Sequence, residues 1–325
     1  MAKRPVFSKQ LVALCVVASL AVIAVSGWAV SRVITGSGSD NPFQSAGLYV
    51  APDSKSALAT AAATGAEKTA FESISSTPAA IWLLPEDFPT TDVGAYVSSV
   101  ATTAAEQEKT PVFVVYGIPN RDCSQESAGG LTEAEYPGWV QAIADGLTAK
   151  KAVVILEPDS LALSEECGNT AERAAQVSDA VDRLLSPTLS VYLDGGHSNW
   201  KSVQVQADLL TAAGVGKVRG FATNVSNFNT TADEIAYNEQ LSAQLGGKNY
   251  VIDTSRNGNG SNGEWCNPSG RALGDSPTAV NDGTALDALL WIKNPGESDG
   301  QCNGGPAAGE WWPEGAVALA QYGAH

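Results

Sequence analysis

Runs of aliphatic residues recur along the chain, and polar segments with a helical pattern separate most of them. The eight runs are Gly47–Val50, Ala79–Leu84, Pro111–Ile118, Ala152–Glu157, Leu189–Asp194, Val218–Asn224, Asn249–Thr254 and Leu289–Lys293. A strand that is apolar at almost every position is typical of a parallel sheet buried on both faces. The alternation of such strands with helices predicts an α/β fold, a closed or nearly closed β/α barrel. A doubly wound open sheet is the alternative, but no GxGxxG motif follows the first strand.

Residues 169–186 give the clearest helical pattern between two of these runs. Asn169 or Thr170 can serve as the N-cap. The apolar positions predicted to share one helical face are Val177, Val181, Leu184 and Leu185. We therefore expect a helix here that packs this face against the sheet.

Polar residues stand at or just after the carboxyl ends of the predicted strands. They are Trp82, Tyr116, Arg121, Asp122, Glu157, Asp159, Asp194, His197, Asn224, Asp253, Arg256, Lys293, Glu297 and Asp299. A single buried acid at a strand end is commonly a structural hydrogen-bond acceptor. The whole set predicts a functional site, because barrels carry their chemistry at this end.

The sequence Glu157-Pro158-Asp159-Ser160 ends the most apolar of the runs. Proline cannot continue a central strand, so the chain must turn and present carboxylates at the rim. Burial of a carboxyl group raises its pKa and can make it a proton donor. Asp159 is therefore the central candidate.

Composition and charge narrow the class of partner. The formal net charge is −16, which argues against nucleic acid and anionic lipid because both require a basic face. A neutral sugar polymer is compatible with this charge and with eight tryptophans. The two histidines, His197 and His325, exclude a His-rich metal site, and a Ser-His-Asp site would have to use His197.

The N-terminal 40 residues are predicted to lie outside the folded domain. Lys3, Arg4 and Lys9 precede the apolar stretch Leu11–Val30, which fits a cleaved signal peptide or an uncleaved anchor, and a short polar linker follows. Residues 41–325 then form one domain. We expect export, with the domain secreted or held at the outer face of the plasma membrane, and membrane contact only if the segment is uncleaved.

Four cysteines of the exported domain, Cys123, Cys167, Cys266 and Cys302, suggest two disulfides with three possible pairings. Pairing in chain order is preferred, since each bridge would brace a loop beside a candidate site residue. No CxxC spacing is present, which argues against zinc.

Asp122, Asp159 and Asp299 come from three different strand ends. Carboxylates that lie close together cannot all ionise normally, so at least one pKa rises. A raised acid beside an ionised partner is what cleavage of a glycosidic bond requires. Metal binding is the rival use, but Arg121 and Lys293 would compete with a cation, and we expect no metal and no cofactor.

Seven stretches in this order resemble glycoside hydrolase family 6, the family of inverting β-1,4-glucanases and cellobiohydrolases. They are VVYGIPNRDC (114–123), VVILEPDSLA (153–162), VYLDGGHSNW (191–200), GFATNVSNF (220–228), VIDTSRNGNG (251–260), EWCNPSGRALG (264–274) and LLWIKNPGESDGQC (289–302). The resemblance covers essentially the whole exported domain. It implies a single catalytic domain, a distorted barrel of about seven to eight strands, and the disulfides Cys123–Cys167 and Cys266–Cys302.

The resemblance also implies roles for particular residues. Asp159 matches the general acid, Asp122 the acid that keeps the pKa of Asp159 high and orders water, and Asp299 the candidate base. The residues that match ligands of the sugar or shape the site around it are Tyr116, Trp82, Ser127, Asp194, His197, Trp200, Asn224, Trp265, Lys293 and Glu297. Gly117 departs from the family, in which many members carry Asp or Asn at this position.

Short loops after Asp299 and Asn227 predict an open cleft, and hence an endo-β-1,4-glucanase acting on cellulose or soluble β-glucan. No cellulose-binding module is expected, which favours soluble or amorphous glucan, and a monomer is the default. The alternatives are a cellobiohydrolase, a mixed-linkage glucanase, or a glycan-binding protein without catalysis. The last is disfavoured because all three aspartates are present.

Overall fold

The computed structural model describes residues 41–322. In chain order the elements are β1 (Gly47–Leu48), α1 (Lys55–Ala62), α2 (Gly65–Ser75), β2 (Ile81–Leu83), α3 (Thr90–Glu106), β3 (Lys109–Thr110), β4 (Val112–Val115), α4 (Tyr136–Gly146), β5 (Ala152–Leu156), α5 (Thr170–Leu184), β6 (Leu189–Asp194), α6 (Val203–Ala212), β7 (Gly220–Thr223), α7 (Thr231–Gln244), β8 (Asn249–Asp253), β9 (Thr278–Ala279), β10 (Leu286–Leu290) and α8 (Pro313–Tyr322). Short 3₁₀ turns occupy Asp122–Ser124 and Val215–Lys217.

The main sheet has the order β2-β4-β5-β6-β7-β8-β10-β9. Its pairs are parallel from β2 to β10, and the short β9 lies antiparallel at the edge. Where β2 and β10 approach each other, Ala80 N donates to Trp291 O at 2.9 Å and Trp82 Nε1 donates to Ile292 O at 2.8 Å. The predicted β/α barrel is therefore confirmed, with its last seam held by these contacts instead of a ladder.

The count of barrel strands corrects one expectation. The first predicted run, Gly47–Val50, contributes only β1, which pairs with β3 in a separate two-stranded sheet. Seven of the eight runs thus form the parallel part of the barrel. Gly47 is exposed and Leu48 is only partly buried, so this run lacks the burial on both faces that the strands of the barrel have.

Alternate residues of the central strands pack on opposite faces of the sheet. Val154 and Leu156 of β5 lie among the surrounding helices, whereas Val153 and Ile155 fill the barrel interior with Tyr192. All five residues of β5 are buried. This double burial explains why the strand is apolar throughout and why its first polar side chains appear only at the carboxyl end.

Helix α5 confirms the helical prediction for residues 169–186. Val177, Val181 and Leu184 are buried on one face, as expected. Leu185 differs, because it follows the last helical residue and is 49% exposed. Asn169 occupies the N-cap position without a side-chain capping hydrogen bond.

No helix within residues 41–322 is long and apolar enough to cross a bilayer. The predicted signal peptide or anchor at residues 11–30 lies outside the described residues, as does His325.

Candidate functional site

The backbone is strained where the strands end at the carboxyl rim. Glu157, Asp159 and Asn224 have φ values of 52°, 65° and 63°, and Asp122 has 59°. Each residue of this kind in the left-handed region costs on the order of 1–3 kcal/mol, and such residues concentrate at functional sites. At the rim, therefore, the surrounding structure holds the backbone in a conformation that these residues do not prefer by themselves.

Asp159 lies just after the end of β5 and is partly exposed as a residue. Burial, followed by the nearby charges of Asp122 and Asp299, raises its pKa to about 7, and Lys293 opposes this only in part. Within residues 41–322 no side chain hydrogen-bonds to this carboxyl group. A carboxylic acid that keeps its proton near neutral pH and is not consumed by a structural bond can donate that proton to a ligand.

Asp194 at the end of β6 holds the Asp159 turn. Its Oδ1 accepts from Asp159 N and Gly196 N, both at 3.0 Å, and the residue is buried. Burial and then the charge of Asp159 raise the pKa of Asp194 well above its usual range. The structure therefore places Asp194 beneath Asp159, where it fixes the backbone of the strained turn.

Asp122 begins the 3₁₀ turn Asp122–Ser124 within the connection between β4 and α4. Its Oδ2 accepts from Ser127 N at 2.7 Å, and burial raises its pKa although this hydrogen bond and Arg121 oppose the rise. A disulfide joins Cys123 to Cys167 and so ties this loop to the segment that follows Asp159. Asp122 is thus close enough for its charge to act on Asp159.

Tyr116, Trp82 and Arg121 form an aromatic corner beside the carboxylates. The rings of Trp82 and Tyr116 meet edge to face with centroids 5.2 Å apart, and the Arg121 guanidinium lies 4.7 Å from the centre of the Tyr116 ring. Arg121 also donates to Tyr116 O at 2.8 Å and to Ser127 O at 2.9 Å. These contacts fix both the tyrosine ring and the Ser127 loop.

Asp299 is surrounded by cations, in contrast to Asp159, which is surrounded by other acids. Arg256 Nη1 lies 2.9 Å from its Oδ2, Lys293 Nζ lies 3.5 Å from its Oδ1, and Asn267 N donates to Oδ2 at 3.1 Å. Burial alone would raise the pKa of Asp299, but the two cations outweigh burial and lower it. The disulfide Cys266–Cys302 braces the two segments that supply Asn267 and Asp299. Asp299 is therefore held as a carboxylate.

A cleft of about 600 Å³ opens beside the aromatic corner. Of the predicted site residues, Trp82, Tyr116, Ser127, Lys293 and Glu297 line it. Burial raises the pKa of Glu297 while Lys293 and Lys55 oppose the rise. Asp122, Asp159 and Asp299 flank one end of this cleft without belonging to its walls.

His197, Trp200 and Trp265 lie outside the walls of that cleft. His197 Nδ1 is 2.9 Å from Asn229 Nδ2, and burial lowers its pKa to about 4, so the ring is neutral. Its ring lies against Trp200 at a centroid distance of 5.3 Å. Trp265 is 52% exposed, a large apolar ring that no core contact requires at the surface.

Three polar strand-end residues serve the fold. Asn224 is fully buried, and its amide donates to Asn229 O and Asp253 O, which leaves no amide hydrogen for a ligand. The Asp253 carboxylate accepts backbone hydrogen bonds from both the β7 and β10 ends. Glu157 is buried against Tyr136 and the backbone amides of Gly117 and Ile118. The Asn224 amide is therefore used within the fold, and its expected part in sugar binding stays a prediction.

Two further residues contribute contacts that sequence reasoning did not assign. Arg256 is the nearest cation to Asp299, and Glu126 Oε2 accepts from Gln301 N at 2.9 Å, which joins the Asp122 loop to the Asp299 loop. The position of Arg256 just after β8 was a signal that it faces the rim, but nothing in the sequence indicated its partner. No group of His, Cys, Asp and Glu side chains among the described residues could hold a metal ion.

Gly117 has a packing reason. A Cβ atom at this position would lie 2.7 Å from Cζ3 of Trp139, which is fully buried. A larger residue at position 117 would therefore collide with the ring of Trp139.

Comparisons with known proteins agree with this geometry. Residues 43–322 match the family model described as glycosyl hydrolases family 6. The chain is 48% identical over 280 residues to endoglucanase A of Cellulomonas fimi, covering 86% of this chain and 62% of that protein. It is 42% identical over 284 residues to endoglucanase 1 of Streptomyces halstedii, covering 82% of this chain and 86% of the relative.

A solved structure is similar as well. The endoglucanase Cel6 from Mycobacterium tuberculosis, in complex with methyl-cellobiosyl-4-deoxy-4-thio-β-D-cellobioside, superposes with a TM-score of 0.81 at 43% identity. The alignment covers 87% of this chain and 99% of that chain.

Proposed function

This chain belongs to glycosyl hydrolases family 6, and from that premise we propose that it hydrolyses internal β-1,4-glucosidic bonds in cellulose or soluble β-glucan with inversion of configuration. The observation that carries the proposal is the pairing of two unlike carboxyl groups at one rim. Asp159 keeps a proton up to a pH of about 7, whereas Asp299 is held ionised by Arg256 and Lys293. Glycosidic cleavage needs one acid and one carboxylate in these two states.

In this proposal Asp159 is the general acid. It gives its proton to the oxygen of the leaving sugar as the glycosidic bond breaks, and the hydrogen bond from Asp159 N to Asp194 keeps the backbone of its turn in place. Asp122 keeps the pKa of Asp159 high through its charge and orders water near Ser127. Positioned proton transfer of this kind contributes about 10²–10⁴-fold in rate.

Asp299 is the candidate base. An ionised carboxylate about 6.5–9.5 Å from the acid leaves room for the water that attacks the anomeric carbon in an inverting reaction. The cations that surround Asp299 keep it charged but also lower its basicity. Its contribution therefore comes from orienting water and from electrostatic stabilisation of the oxocarbenium-like transition state.

The neutral polymer is bound by rings and hydrogen-bonding groups. Trp82 offers a ring, Tyr116 sits at the bond to be cleaved, and Lys293 and Glu297 contact sugar hydroxyls along the cleft wall. Trp200, Trp265 and His197, which lie outside the walls of this cleft, are expected to contact further sugars of the polymer. A net charge of −16 is compatible with a neutral substrate, because a neutral sugar polymer does not depend on charge attraction for binding.

Endo action is supported by the relatives, since those at 42–48% identity are named endoglucanases. It is also supported by the short loops after Asp299 and Asn227. The chain spans 62% of the length of the Cellulomonas fimi relative, so the activity proposed here is that of the present chain.

A cellobiohydrolase is the second candidate, because relatives at 28–29% identity are named cellobiohydrolases. The hydrogen bond between Glu126 and Gln301 N connects the Asp122 loop with the Asp299 loop. A mixed-linkage glucanase remains the alternative for substrate. Product analysis separates the three enzymes. An endoglucanase shortens the polymer at random, a cellobiohydrolase releases cellobiose alone, and a mixed-linkage glucanase releases products from mixed-linkage glucan.

Export as a monomer is part of the proposal. Two disulfides, Cys123–Cys167 and Cys266–Cys302, suit an oxidising compartment outside the cytosol. Sedimentation of the purified chain and alkylation of free thiols before and after reduction would test these two points.

The main test is viscosity loss and reducing-sugar release on carboxymethyl cellulose, with Asp159→Asn beside wild type. A fast fall in viscosity by wild type, reduced about 10²–10⁴-fold in the variant, is expected. Undiminished activity of the variant would remove Asp159 from its role. No activity in either protein would favour the glycan-binding alternative or another substrate.

A further inference from the structure

The cleft does not end at Lys293 and Glu297. The same cavity continues between the start of α1, the start of α3 and the loop before α8. Among the residues of this extension that carry polar or aromatic groups are Asp53, Ser54, Lys55, Asp87 and Tyr96, with Gly309 on the facing wall. We call these residues the far segment of the cleft.

An ion pair and the neighbouring charges indicate the order of groups along the cleft. Lys293 Nζ lies 3.5 Å from Asp299 at one end, and its charge also acts on Asp159. The charges of Lys293, Lys55 and Asp87 all act on Glu297. The far segment is therefore separated from the reacting carboxyl groups by the Lys293–Glu297 pair.

Several groups of the far segment that can bind a sugar hydroxyl make no hydrogen bond of their own within residues 41–322. Within residues 41–322 neither the Asp87 carboxylate nor the Tyr96 hydroxyl makes a hydrogen bond, and Asp87 is exposed. Lys55 Nζ donates one hydrogen bond to Gly309 O at 2.7 Å, which leaves two of its three N–H groups for a ligand. The Tyr96 ring is stacked on Phe88 with centroids 4.2 Å apart, which holds it as a fixed surface.

This chemistry selects a neutral polyhydroxylated ligand. An acceptor, a cation with free donors and a phenol around one cavity satisfy hydroxyl groups that both donate and accept. A phosphate or another anion would meet Asp53, Asp87 and Glu297 as like charges. The cavity is also continuous with the substrate cleft, so a glucan chain bound there can extend into it.

We propose that Lys55, Asp87 and Tyr96 form an additional glucose-binding position of the substrate cleft, one sugar beyond the position at Lys293 and Glu297. The inference rests on the proposed function, because the ligand is a longer stretch of the same β-1,4-glucan. It predicts that oligosaccharides long enough to reach the far segment are bound and cleaved in a preferred register.

The test compares cellotetraose with cellopentaose that carries an isotopic label at its reducing end. The variant is Lys55→Met combined with Asp87→Ala, two exposed side chains whose loss leaves the core intact. The matched control is Lys151→Met combined with Asp92→Ala, which makes the same charge changes at exposed residues outside the cleft walls. The position of the label reports which bond is cut.

For wild type and control we expect one dominant cleavage position in cellopentaose and a higher kcat/KM than on cellotetraose. The variant should lose about tenfold of that pentaose-to-tetraose ratio, since hydrogen bonds to charged groups are removed, and its cleavage position should shift. An unchanged ratio and position in the variant, with all proteins hydrolysing cellotetraose, overturns the additional position alone. Failure of wild type on both oligosaccharides overturns the proposed function together with it.

Discussion

The rim of the barrel has two sides that treat a carboxyl group in opposite ways. On the Asp159 side, acids face other acids, and the hydrogen bonds of Asp194 and Asp122 come from backbone amides. On the Asp299 side, Arg256 and Lys293 lie within 3.5 Å of one carboxylate. Burial is similar in kind on both sides, so the neighbouring charges decide which acid keeps its proton.

This difference shows that a buried acid does not define a role by itself. Without Arg256 and Lys293, burial would raise the pKa of Asp299 as it does that of Asp159, and Asp299 would no longer be held as a carboxylate. The cations are therefore as much a part of the proposed chemistry as the acids. Changing one side at a time should break the contrast in predictable ways.

The largest expected effect is on the cation-bound side. Asp299→Asn leaves Arg256 and Lys293 buried beside a neutral amide, and breaking a buried ion pair costs about 3–5 kcal/mol. Urea unfolding at neutral pH should show this loss. Because the pKa of Asp299 is lowered in the fold, its stabilisation is present above the unfolded pKa and disappears as pH falls, so the difference should narrow in acid.

Asp182→Asn is the control for that measurement. Asp182 lies 2.6 Å from Lys217, but both side chains are about half exposed, at 53% and 47%. A surface pair of this kind contributes about 0–1 kcal/mol. Equal losses in the two variants would contradict the interpretation that burial makes the Asp299 pair important.

The next effect has the opposite sign and lies on the acid side. Asp159→Asn should stabilise the protein by about 2–4 kcal/mol at pH values above about 7, because the native pKa of Asp159 is raised to about 7 and its ionised form is penalised. A raised carboxyl pKa gives stability below the unfolded value that is lost as pH rises through the folded one. Thermal unfolding of both proteins should therefore converge below about pH 4.

The same substitution should abolish most activity. A variant that is both more stable and inactive would separate a catalytic acid from a structural one. If Asp159→Asn instead destabilised the fold across the whole pH range, Asp159 would be a structural acceptor like Glu157.

A smaller effect is expected on the pH profile. Asp122→Asn removes one of the charges that raise the pKa of Asp159, so the decline of kcat/KM at high pH should move about one unit toward acid. Glu133→Gln, which neutralises an exposed acid in the same connection between β4 and α4, should leave the profile in place. An unshifted profile in Asp122→Asn would restrict Asp122 to ordering water.

The fold and the acids could be predicted from the sequence because their signals are local. Strand ends are marked by the change from aliphatic to polar residues, and this located Asp159 and Asp299 at one rim. The separate pairing of β1 with β3 could not be predicted, because it depends on how short the first run is once folded. The hydrogen bonds that Asn224 and Asp194 make within the protein could not be predicted either, because sequence gives the position of a side chain and not its direction.

Contacts between loops that are distant in sequence could not be predicted either. Glu126 and Gln301 are separated by 175 positions, and Lys55 and Gly309 by 254, so no spacing indicates that they meet. The same holds for Arg256 and Asp299, whose contact reverses the effect of burial on one acid. The sequence therefore predicts which groups reach the rim, and three-dimensional pairing decides what each can do there.

The smallest effect should come from Trp265. This residue lies in the same loop as Asn267, on the Asp299 side, but is 52% exposed. Trp265→Ala should change stability by no more than about 0.5 kcal/mol, while Trp139→Ala, at a fully buried ring, should cost about 3–5 kcal/mol. If the exposed ring binds sugar, kcat/KM on long glucan should fall about threefold relative to cellotetraose, which corresponds to under about 1 kcal/mol of contact. An equal fall on both substrates would mean that Trp265 acts through the loop that holds Asp299 and not as a surface for the polymer.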